Sequence, residues 1–198
     1  MRQVVLIAVV VLLVVAALGL GYYAGTVSQA SQVCELRTQV TNLTNRLAGL
    51  SHGEPSILAV RFSPRGGCAD QVEYWIGRAN HTVHVLMYSF TLDSVGDVVL
   101  ATYHRGVDVK VVFEKSQVNQ YSEIFRLAAA GIPVRNDTNP DLMHQKVAII
   151  DGGIVLVGSF NWTSAAENDN NEVLLVIKSA DLATTLEREF QRIWTTGH

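Results

Sequence analysis

The chain contains 198 residues, of which 48% are hydrophobic and 17% are charged, and its formal net charge is −3. This length suits one catalytic domain with an appendage. From Ser51 onward, 12 Lys and Arg residues face 17 Asp and Glu residues, which leaves a charge of −5. A protein dedicated to duplex DNA usually carries a basic surface, so this balance disfavours that class, although a local groove can be positive on an acidic protein.

The first 34 residues are strongly apolar. Residues 3–34 contain no charged side chain, and residues 4–20 are apolar except for one glycine. A helix of about 21 residues spans about 31 Å, which is enough to cross a bilayer. We therefore predict a transmembrane anchor over residues 1–27, with a cleaved signal peptide as the alternative. Because Arg2 precedes the apolar run, the positive-inside rule predicts a single-pass membrane protein whose catalytic domain is extracytoplasmic.

A heptad pattern follows the apolar run. Its apolar residues are separated alternately by three and four positions: Val33, Leu36, Val40, Leu43, Leu47 and Leu50. Val and Leu at these positions are typical of a parallel two-stranded coiled coil. We therefore predict a coiled-coil stalk over residues 28–52 and a catalytic domain over residues 53–198. The alternative is an amphipathic helix that folds back on the domain.

Strand and helix patterns alternate through the predicted catalytic domain. Predicted strands cover residues 57–62, 82–90, 107–113 and 132–135, and predicted helices cover residues 69–80, 93–104, 121–130 and 181–194. This order predicts an α/β fold, in which a mixed β-sheet is flanked by helices. The two cysteines, Cys34 and Cys68, match no metal-ligand spacing, so we expect neither a metal nor a cofactor.

The second half of the predicted domain contains a β-hairpin pattern. Val147–Ile150 and Ile154–Val157 are apolar and rich in β-branched residues, and Asp151–Gly153 between them is a turn signal. A polar loop is predicted at residues 167–171, and a further strand at Glu172–Ile177. These strands complete the predicted sheet before the closing helix.

The predicted hairpin gathers four chemically useful side chains. If Gly152–Gly153 forms a two-residue loop, Lys146 lies opposite Ser159 and His144 lies opposite Asn161. Side chains alternate along a strand, so all four would lie on one face at the open end of the hairpin. The pattern therefore predicts one site rather than four separate surface residues.

These residue types suit attack on a phosphodiester. A phosphodiester is an anion, so Lys146 supplies positive charge, while Ser159 and Asn161 supply donors to the non-bridging oxygens. The neutral imidazole of His144 can attack phosphorus and form a covalent intermediate. Such a histidine also needs an orienting partner on its other ring nitrogen, and Glu172 on the next strand is the candidate.

The pattern H-x-K-x4-D-x6-G-S-x-N, followed by Glu172 in the context N-x-N-N-E-V, resembles the HKD motif of the phospholipase D superfamily. The most similar branch in size and layout carries a single motif and includes the Nuc-type endonuclease and the mitochondrial cardiolipin hydrolase/Zucchini enzymes. The resemblance covers about residues 57–195 and extends to other stretches: Phe62-Ser63-Pro64, Tyr88-Ser89-Phe90-Thr91 and Arg105–Lys110.

The resemblance implies a role for each motif residue. It implies that His144 is the nucleophile, that Glu172 orients it, and that Lys146 acts in catalysis and binds phosphate. It also implies that Ser159 and Asn161 bind phosphate, and that Asp151, which lies in the turn, is a structural residue of the motif.

The resemblance further implies a homodimer with a composite active site, to which each chain contributes one histidine. One His144 attacks, and the His144 of the second chain protonates the leaving oxygen. Two substrate classes stay open: DNA or RNA for an endonuclease, and a phospholipid such as phosphatidylcholine or cardiolipin for a lipid hydrolase. A non-catalytic phosphate-binding scaffold is a third alternative. Trp162 either stacks on a base or packs in the core.

Overall fold

The computed structural model describes residues 9, 13–14, 35–42 and 54–198. Contacts between residues divide the chain into two units, Met1–Ser51 and His52–His198. The described residues of the first unit are helical. Most of the predicted stalk lies outside the described residues, so the coiled coil stays a prediction.

The predicted membrane location is contradicted, because no helix in the described part of the chain is long and apolar enough to cross a bilayer. Of the predicted anchor, residues 1–27, only Val9, Leu13 and Val14 belong to the described residues. An uncharged run meets the length requirement of a membrane span only as one continuous helix, and the described residues provide no such helix. The single-pass, extracytoplasmic assignment is therefore not retained.

The described residues of the second unit, residues 54–198, contain a 3₁₀ turn at Lys115–Gln117, five helices and seven strands. In chain order these are β1 (Ser56–Ser63), α1 (Cys68–Ile76), β2 (Thr82–Met87), α2 (Asp93–His104), β3 (Asp108–Phe113), α3 (Ile124–Ala129), β4 (Val134–Asn136), β5 (Lys146–Ile150), β6 (Ile154–Gly158), α4 (Ser164–Asn168), β7 (Glu172–Lys178) and α5 (Ala180–Thr196). The alternation of strand and helix agrees with the sequence patterns.

The strands form one sheet in the order β1-β7-β6-β5-β2-β3-β4. The pairs β2–β3 and β3–β4 are parallel, and the other four pairs are antiparallel. The sheet is therefore mixed, which confirms the predicted α/β class. Because β2, β5, β6 and β7 pair antiparallel in this order, the C-terminal ends of β2 and β6 lie beside the N-terminal ends of β5 and β7.

Apolar side chains cover both faces of the central strands. On one face, α1 and α2 pack against a core that includes Val85 of β2 and Ala148 of β5. On the other face, Phe190 of α5 belongs to a core with Leu86 and Val147. Neighbouring residues of a strand thus enter opposite cores, as the twofold alternation of strand side chains requires. Helices on both faces leave the strand ends free to carry polar groups.

Helix α4 is the one described helix of the second unit that the sequence patterns did not predict. The pattern predicts a polar loop at residues 167–171, because five residues are too few to show an apolar period. The helix is held by its ends instead. The Oγ1 of Thr163 accepts a hydrogen bond from the N–H of Ala166 at 3.1 Å, and Oε2 of Glu167 accepts one from the N–H of Ala69 at 2.9 Å. The second bond fixes α4 to the first turn of α1.

Cys68 begins α1 and is fully buried. Burial, together with the nearby Glu167 carboxylate, raises the pKa of its thiol to about 11. A thiol with so high a pKa is a poor nucleophile at neutral pH, so the residue acts in packing. Cys34 lies outside the described residues.

The hairpin register differs by one residue from the predicted one. Ile150 pairs with Ile154, so the loop contains three residues, Asp151–Gly153. Asp151 has a φ of 50° and Gly152 a φ of 60°, and the N–H of Gly153 donates to the carbonyl of Ile150 at 3.1 Å. The turn is therefore centred on Asp151 and Gly152 rather than on the two glycines.

The direct pairs Lys146–Ser159 and His144–Asn161 are consequently wrong. The sequence pattern assigned the left-handed positions of the turn to two glycines, but aspartate also tolerates this conformation. A shift of one residue exchanges the faces of a strand, so strand alternation alone cannot bring these four side chains together.

The turn places the Asp151 carboxylate where the chain enters β2. It accepts hydrogen bonds from the backbone N–H groups of Asn80, His81 and Thr82, at 2.9, 2.7 and 2.9 Å. Burial raises the pKa of this carboxyl, but the three donors outweigh burial and hold the pKa below its usual value of 3.8. The carboxylate therefore fastens the hairpin to the start of the central strand, at the opposite end of the sheet from the open end of the hairpin.

We expect Asp151→Asn to lower the free energy of unfolding at pH 7 by about 1–2 kcal/mol, because the amide keeps one acceptor oxygen but loses the charge that strengthens the three hydrogen bonds. The measurement is urea denaturation followed by circular dichroism. The control is Asp141→Asn, which removes the same charge from an exposed loop and should change the stability little.

The difference between wild type and Asp151→Asn should also depend on pH. A carboxyl whose pKa is lowered by folding stabilises the protein above pH 3.8, and this stabilisation is lost as the pH falls through the lowered value. The two proteins should therefore converge in stability in strong acid. A constant difference between pH 7 and pH 2 would contradict this account of the carboxylate.

Candidate active site

The ends of β5, β6 and β7 border a cavity of about 590 Å³. Six residues line it: His144, Lys146, Gly158, Ser159, Asn161 and Glu172. Five of them are site residues predicted from the sequence. The sixth predicted residue, Asp151, lies at the turn of the hairpin, away from this cavity.

His144 and Lys146 are held by Tyr88, which directly follows β2. The ring centroids of Tyr88 and His144 are 4.4 Å apart with an interplanar angle of 65°, and the Nζ of Lys146 lies 4.5 Å from the centroid of the Tyr88 ring. The N–H of Tyr88 also donates to the carbonyl of Gln145 at 2.9 Å. Tyr88 therefore packs against both candidate catalytic groups. The sequence placed Tyr88 at the end of a strand but did not show which residues it contacts.

The ammonium group of Lys146 is nearly withdrawn from solvent. Lys146 is only 7% exposed, and its Nζ donates to the carbonyl oxygen of His144 at 3.1 Å. Burial lowers the pKa of Lys146, and the charge of the Glu172 carboxylate opposes this decrease. A buried cation is costly unless it is paired, so the cavity favours an anionic ligand at this position.

Ser159 links β6 to β7 at the mouth of the cavity. Its N–H donates to the carbonyl of Val173 at 3.0 Å, and its Oγ accepts from the N–H of Val173 at 3.1 Å. The Ser159 hydroxyl in turn donates to Oε2 of Glu172 at 2.5 Å, while the side chain of Asn170 donates to Oε1 at 3.3 Å. The hydrogen bonds of Glu172 within the described residues thus join it to Ser159 and Asn170. Its proposed contact with His144 stays a prediction.

Asn161 faces the cavity because the next residue is fixed in the core. Trp162 is 2% exposed and packs edge-to-face on Phe90 with centroids 4.8 Å apart. Its N–H donates to Ser89 at 3.0 Å, and its carbonyl accepts from Thr91 at 2.9 Å. Of the two alternatives for Trp162, the structure therefore shows packing. Within the described residues, Oδ1 of Asn161 is buried without a hydrogen-bond partner, which leaves polar capacity for a ligand.

Gly158 explains why the four predicted side chains meet although the predicted register is wrong. A Cβ at this position would overlap the carbonyl oxygen of Val173, so only glycine allows β6 to approach β7 this closely. The regular β5–β6 pairing ends before this point, and Ser159 is positioned by its bonds to β7 rather than by strand alternation. The sequence showed the glycine of the motif, but it did not show that this glycine lies against the carbonyl of Val173.

A buried carboxyl pair holds the loop that precedes His144. Glu114 is fully buried, with Oε2 accepting from the N–H of Met143 at 2.7 Å and Oε1 from the N–H of Ser116 at 2.9 Å. Burial raises the pKa of Glu114, but the hydrogen bonds from Ser116 and Met143 lower it to about 2. Burial and the neighbouring Glu114 raise the pKa of Asp137. The two neighbouring carboxyl groups thus differ in electrostatic environment, and the sequence spacing did not indicate this pair.

A second cavity, of about 610 Å³, adjoins the same histidine. It is formed by the loop at residues 137–145 and by the last two turns of α5, including Arg192 and Thr196. His144 lines both cavities. His144 therefore borders two cavities of similar volume.

Comparison with known proteins identifies the family. Residues 74–194 match the family model described as cardiolipin synthase, PLD-like domain, and this range includes every residue of the smaller cavity. The chain belongs to the phospholipase D superfamily. This confirms the resemblance drawn from the HKD motif, and the chain is a phospholipase D-like phosphodiesterase.

Three relatives show how far the similarity extends. A mitochondrial cardiolipin hydrolase from Chlamydomonas reinhardtii is 33% identical over 85% of this chain and 91% of its own length. A phospholipase D from Rickettsia typhi is 32% identical over 66% of this chain and 65% of its own length. The crystal structure of Nuc, a phospholipase D family member from Salmonella typhimurium, matches with a TM-score of 0.69 and 36% identity, over 73% of this chain and 97% of that one.

We expect Gly158→Ala to lower the free energy of unfolding by about 3 kcal/mol, because the added methyl group would collide with the carbonyl oxygen of Val173. The measurement is urea denaturation. The control is Gly153→Ala in the same hairpin, where the nearest atom to a Cβ is 3.8 Å away and the change should be small. Equal stability of the two variants would show that β6 does not need this close approach.

Proposed function

We propose that this phosphodiesterase acts without a metal, through a phosphohistidine intermediate, and that its substrate is DNA or RNA. The proposal rests on the gathering of His144, Lys146, Ser159, Asn161 and Glu172 around one cavity. The buried ammonium group of Lys146 supplies the positive charge that a metal ion supplies in many phosphodiesterases. The imidazole of His144 supplies the nucleophile.

In the proposed first step, the imidazole of His144 attacks phosphorus. A nitrogen–phosphorus bond forms while the bond to the leaving oxygen breaks. Lys146, Ser159 and Asn161 bind the non-bridging oxygens, where negative charge accumulates in the transition state. In the second step, water attacks phosphorus and gives its proton to the general acid of the first step, which has lost its own proton to the leaving oxygen and now acts as a base. The nitrogen–phosphorus bond breaks, and the phosphorylated product leaves with His144 restored.

We propose that Glu172 orients His144 when substrate is bound. In the free site the Ser159 hydroxyl donates to Glu172. If Ser159 donates instead to a phosphate oxygen, Glu172 is released to accept a hydrogen bond from the imidazole. Ligand binding would thus create the orienting contact, which explains why a carboxylate can stand beside an anion site.

The leaving oxygen needs a proton, and we propose that a second copy of the chain supplies it. The HKD motif occurs once in the sequence, so one chain offers one such imidazole. In a homodimer, one His144 attacks while the His144 of the partner acts as the general acid. The stalk proposed at residues 28–52 would raise the effective concentration of the second catalytic domain, residues 53–198.

Nucleic acid is the substrate that we propose first, because the chain matches Nuc over 97% of that structure's length at 36% identity. The larger cavity beside His144 offers room for a nucleotide next to the attacked phosphate. Lipid hydrolysis is the second candidate. It is favoured by the similarity to a mitochondrial cardiolipin hydrolase over 85% of this chain. It is also favoured by the net negative charge of residues 51–198, because this charge does not assist the binding of a polyanion such as DNA or RNA.

The first test is a substrate comparison in EDTA. We expect the purified full-length chain to cleave single-stranded DNA or RNA, with cardiolipin and phosphatidylcholine vesicles unchanged, because the proposed chemistry needs no metal. Nucleotide products are resolved on gels and lipid products by mass spectrometry. Turnover of lipid alone would replace the nuclease assignment by the second candidate. Turnover of neither class would favour a phosphate-binding scaffold.

The second test concerns the nucleophile and the second chain. We expect His144→Asn to lower kcat by at least about 1,000-fold, because the covalent step is lost, while the control His104→Asn keeps full activity. An equal mixture of wild type and His144→Asn, after subunit exchange, should retain about a quarter of the wild-type activity, since a composite site needs both histidines. A value near one half would mean that each chain works alone.

A further inference from the structure

A single buried carboxylate fixes the last residue of the loop that leads to His144. This loop covers residues 137–143, and Oε2 of Glu114 accepts a hydrogen bond from the N–H of Met143 at 2.7 Å. Oε1 of the same carboxylate accepts one from the N–H of Ser116 at 2.9 Å. Glu114 and Met143 are both buried, so the N–H of Met143 would stay unpaired without the carboxylate.

The backbone on both sides of His144 is anchored to the ends of two central strands. Before the histidine, Met143 donates to Glu114, which directly follows β3. After it, the carbonyl of Gln145 accepts the N–H of Tyr88, which directly follows β2, at 2.9 Å. The N–H of Glu114 in turn donates to the carbonyl of the last residue of β2 at 3.2 Å. The position of the candidate nucleophile therefore depends on Glu114 as well as on Tyr88.

A second carboxyl group, that of Asp137, lies in hydrogen-bonding contact with Glu114. Asp137 is fully buried, and its Oδ1 accepts the N–H of Asn139 at 2.8 Å. Its Oδ2 is also buried, and no donor among the described residues reaches it. An ionised oxygen without a donor is costly in a buried position, whereas a protonated oxygen can donate to a neighbouring carboxylate. Burial and the nearby Glu114 accordingly raise the pKa of Asp137.

The neighbouring ammonium group of Lys115 does not supply the missing donor. Its Nζ donates to the carbonyl of Asn139 and, at 3.3 Å, to the carbonyl of Asp141. The nearest oxygen of Asp137 is Oδ1, at 3.6 Å, which is beyond the length of a hydrogen bond. Lys115 therefore holds the outer part of the loop, and the contact that remains for Oδ2 of Asp137 is the Glu114 carboxylate.

We propose that Glu114 is a positioning residue for His144, and that Asp137 keeps Glu114 in place by carrying a proton and donating it in a hydrogen bond to the Glu114 carboxylate. The inference rests on the proposed function, because it assigns the group that aligns the imidazole for attack on phosphorus. Neither carboxyl group contacts the substrate. Glu114 acts through the N–H of Met143, and a displacement of about 1 Å at a reacting atom can lower a rate by about 100-fold.

The test follows the release of 4-nitrophenolate from bis(4-nitrophenyl) phosphate by the full-length chain in a single turnover. In this step the bond between the His144 nitrogen and phosphorus forms, and the bond from phosphorus to the nitrophenolate oxygen breaks. Nitrophenolate is a stable anion that leaves without a proton. The measurement therefore depends neither on an acid from a second chain nor on the choice between nucleic acid and lipid.

We expect Glu114→Gln to lower the maximal single-turnover rate by at least about tenfold and to change the half-saturating concentration by less than about twofold, because His144 moves while the phosphate-binding groups stay. Asp137→Asn should keep at least about half of the rate, since its amide N–H donates to Glu114 as the protonated carboxyl does. The control is Glu54→Gln, which removes the same charge from an exposed residue and should leave the rate unchanged. Urea denaturation checks that each variant is folded under the assay conditions.

The outcomes separate this inference from the proposed function. A folded Glu114→Gln variant with the wild-type rate would overturn the positioning role, and equal losses in Glu114→Gln and Asp137→Asn would overturn the proton on Asp137. Glu114→Asp keeps the charge but draws the acceptor oxygens back, so it should also lower the rate. A wild-type rate in this variant would overturn the proposal even if Glu114→Gln did not fold. A wild-type chain that releases no nitrophenolate would instead overturn the phosphohistidine mechanism, and this inference with it.

Discussion

The close approach of β6 to β7 at Gly158 determines where the candidate catalytic groups lie. Because this residue has no Cβ, the backbone of β6 can lie against the Val173 carbonyl, and the following residue can exchange two hydrogen bonds with Val173. This arrangement brings Ser159 within 2.5 Å of Glu172. Beyond Ser159, Trp162 enters the core and Asn161 lines the cavity. One missing methyl group thus brings Ser159 and Glu172 together.

The electrostatics of the site follow from burial at the strand ends. A lysine that is 7% exposed cannot be hydrated as it would be on the surface, and its π contact with Tyr88 and its bond to the His144 carbonyl compensate only partly. A bound phosphate would supply the missing counter-charge. Local burial would therefore allow a protein with a net negative charge to hold the anion of the proposed reaction, because the interaction of Lys146 with a ligand is stronger in a cavity than in water. The net charge of residues 51–198 therefore does not predict how strongly this cavity would bind an anion.

The fold and most of the site could be predicted from the sequence, but the way in which the site forms could not. Apolar periods located the strands and the long helices correctly, since each buries one face or both. The pattern failed for α4, whose five residues depend on the Thr163 cap and on the Glu167 bond to α1. It also assigned the wrong turn, because Asp151 rather than Gly153 takes the left-handed conformation. Five of the six predicted site residues nevertheless line one cavity, because their residue types could be recognised without the correct register, while their roles stay predictions. The contacts of Tyr88 with His144 and Lys146, and the Glu114–Asp137 pair, could not be predicted, because they form only when distant strands fold together.

The proposed cleavage of a phosphodiester depends on the proposed homodimer. A phosphodiester in the smaller cavity meets one imidazole, one ammonium group and a set of donors from a single chain. Departure of an alkoxide requires an acid on the opposite side of phosphorus, and in-line displacement places that acid away from the attacking His144. On the chain's own side, His144 contacts the ring of Tyr88 and follows the loop that Glu114 holds. In the proposed mechanism a second copy of the chain supplies this acid, so the proposed chemistry and the proposed assembly belong to one physical argument.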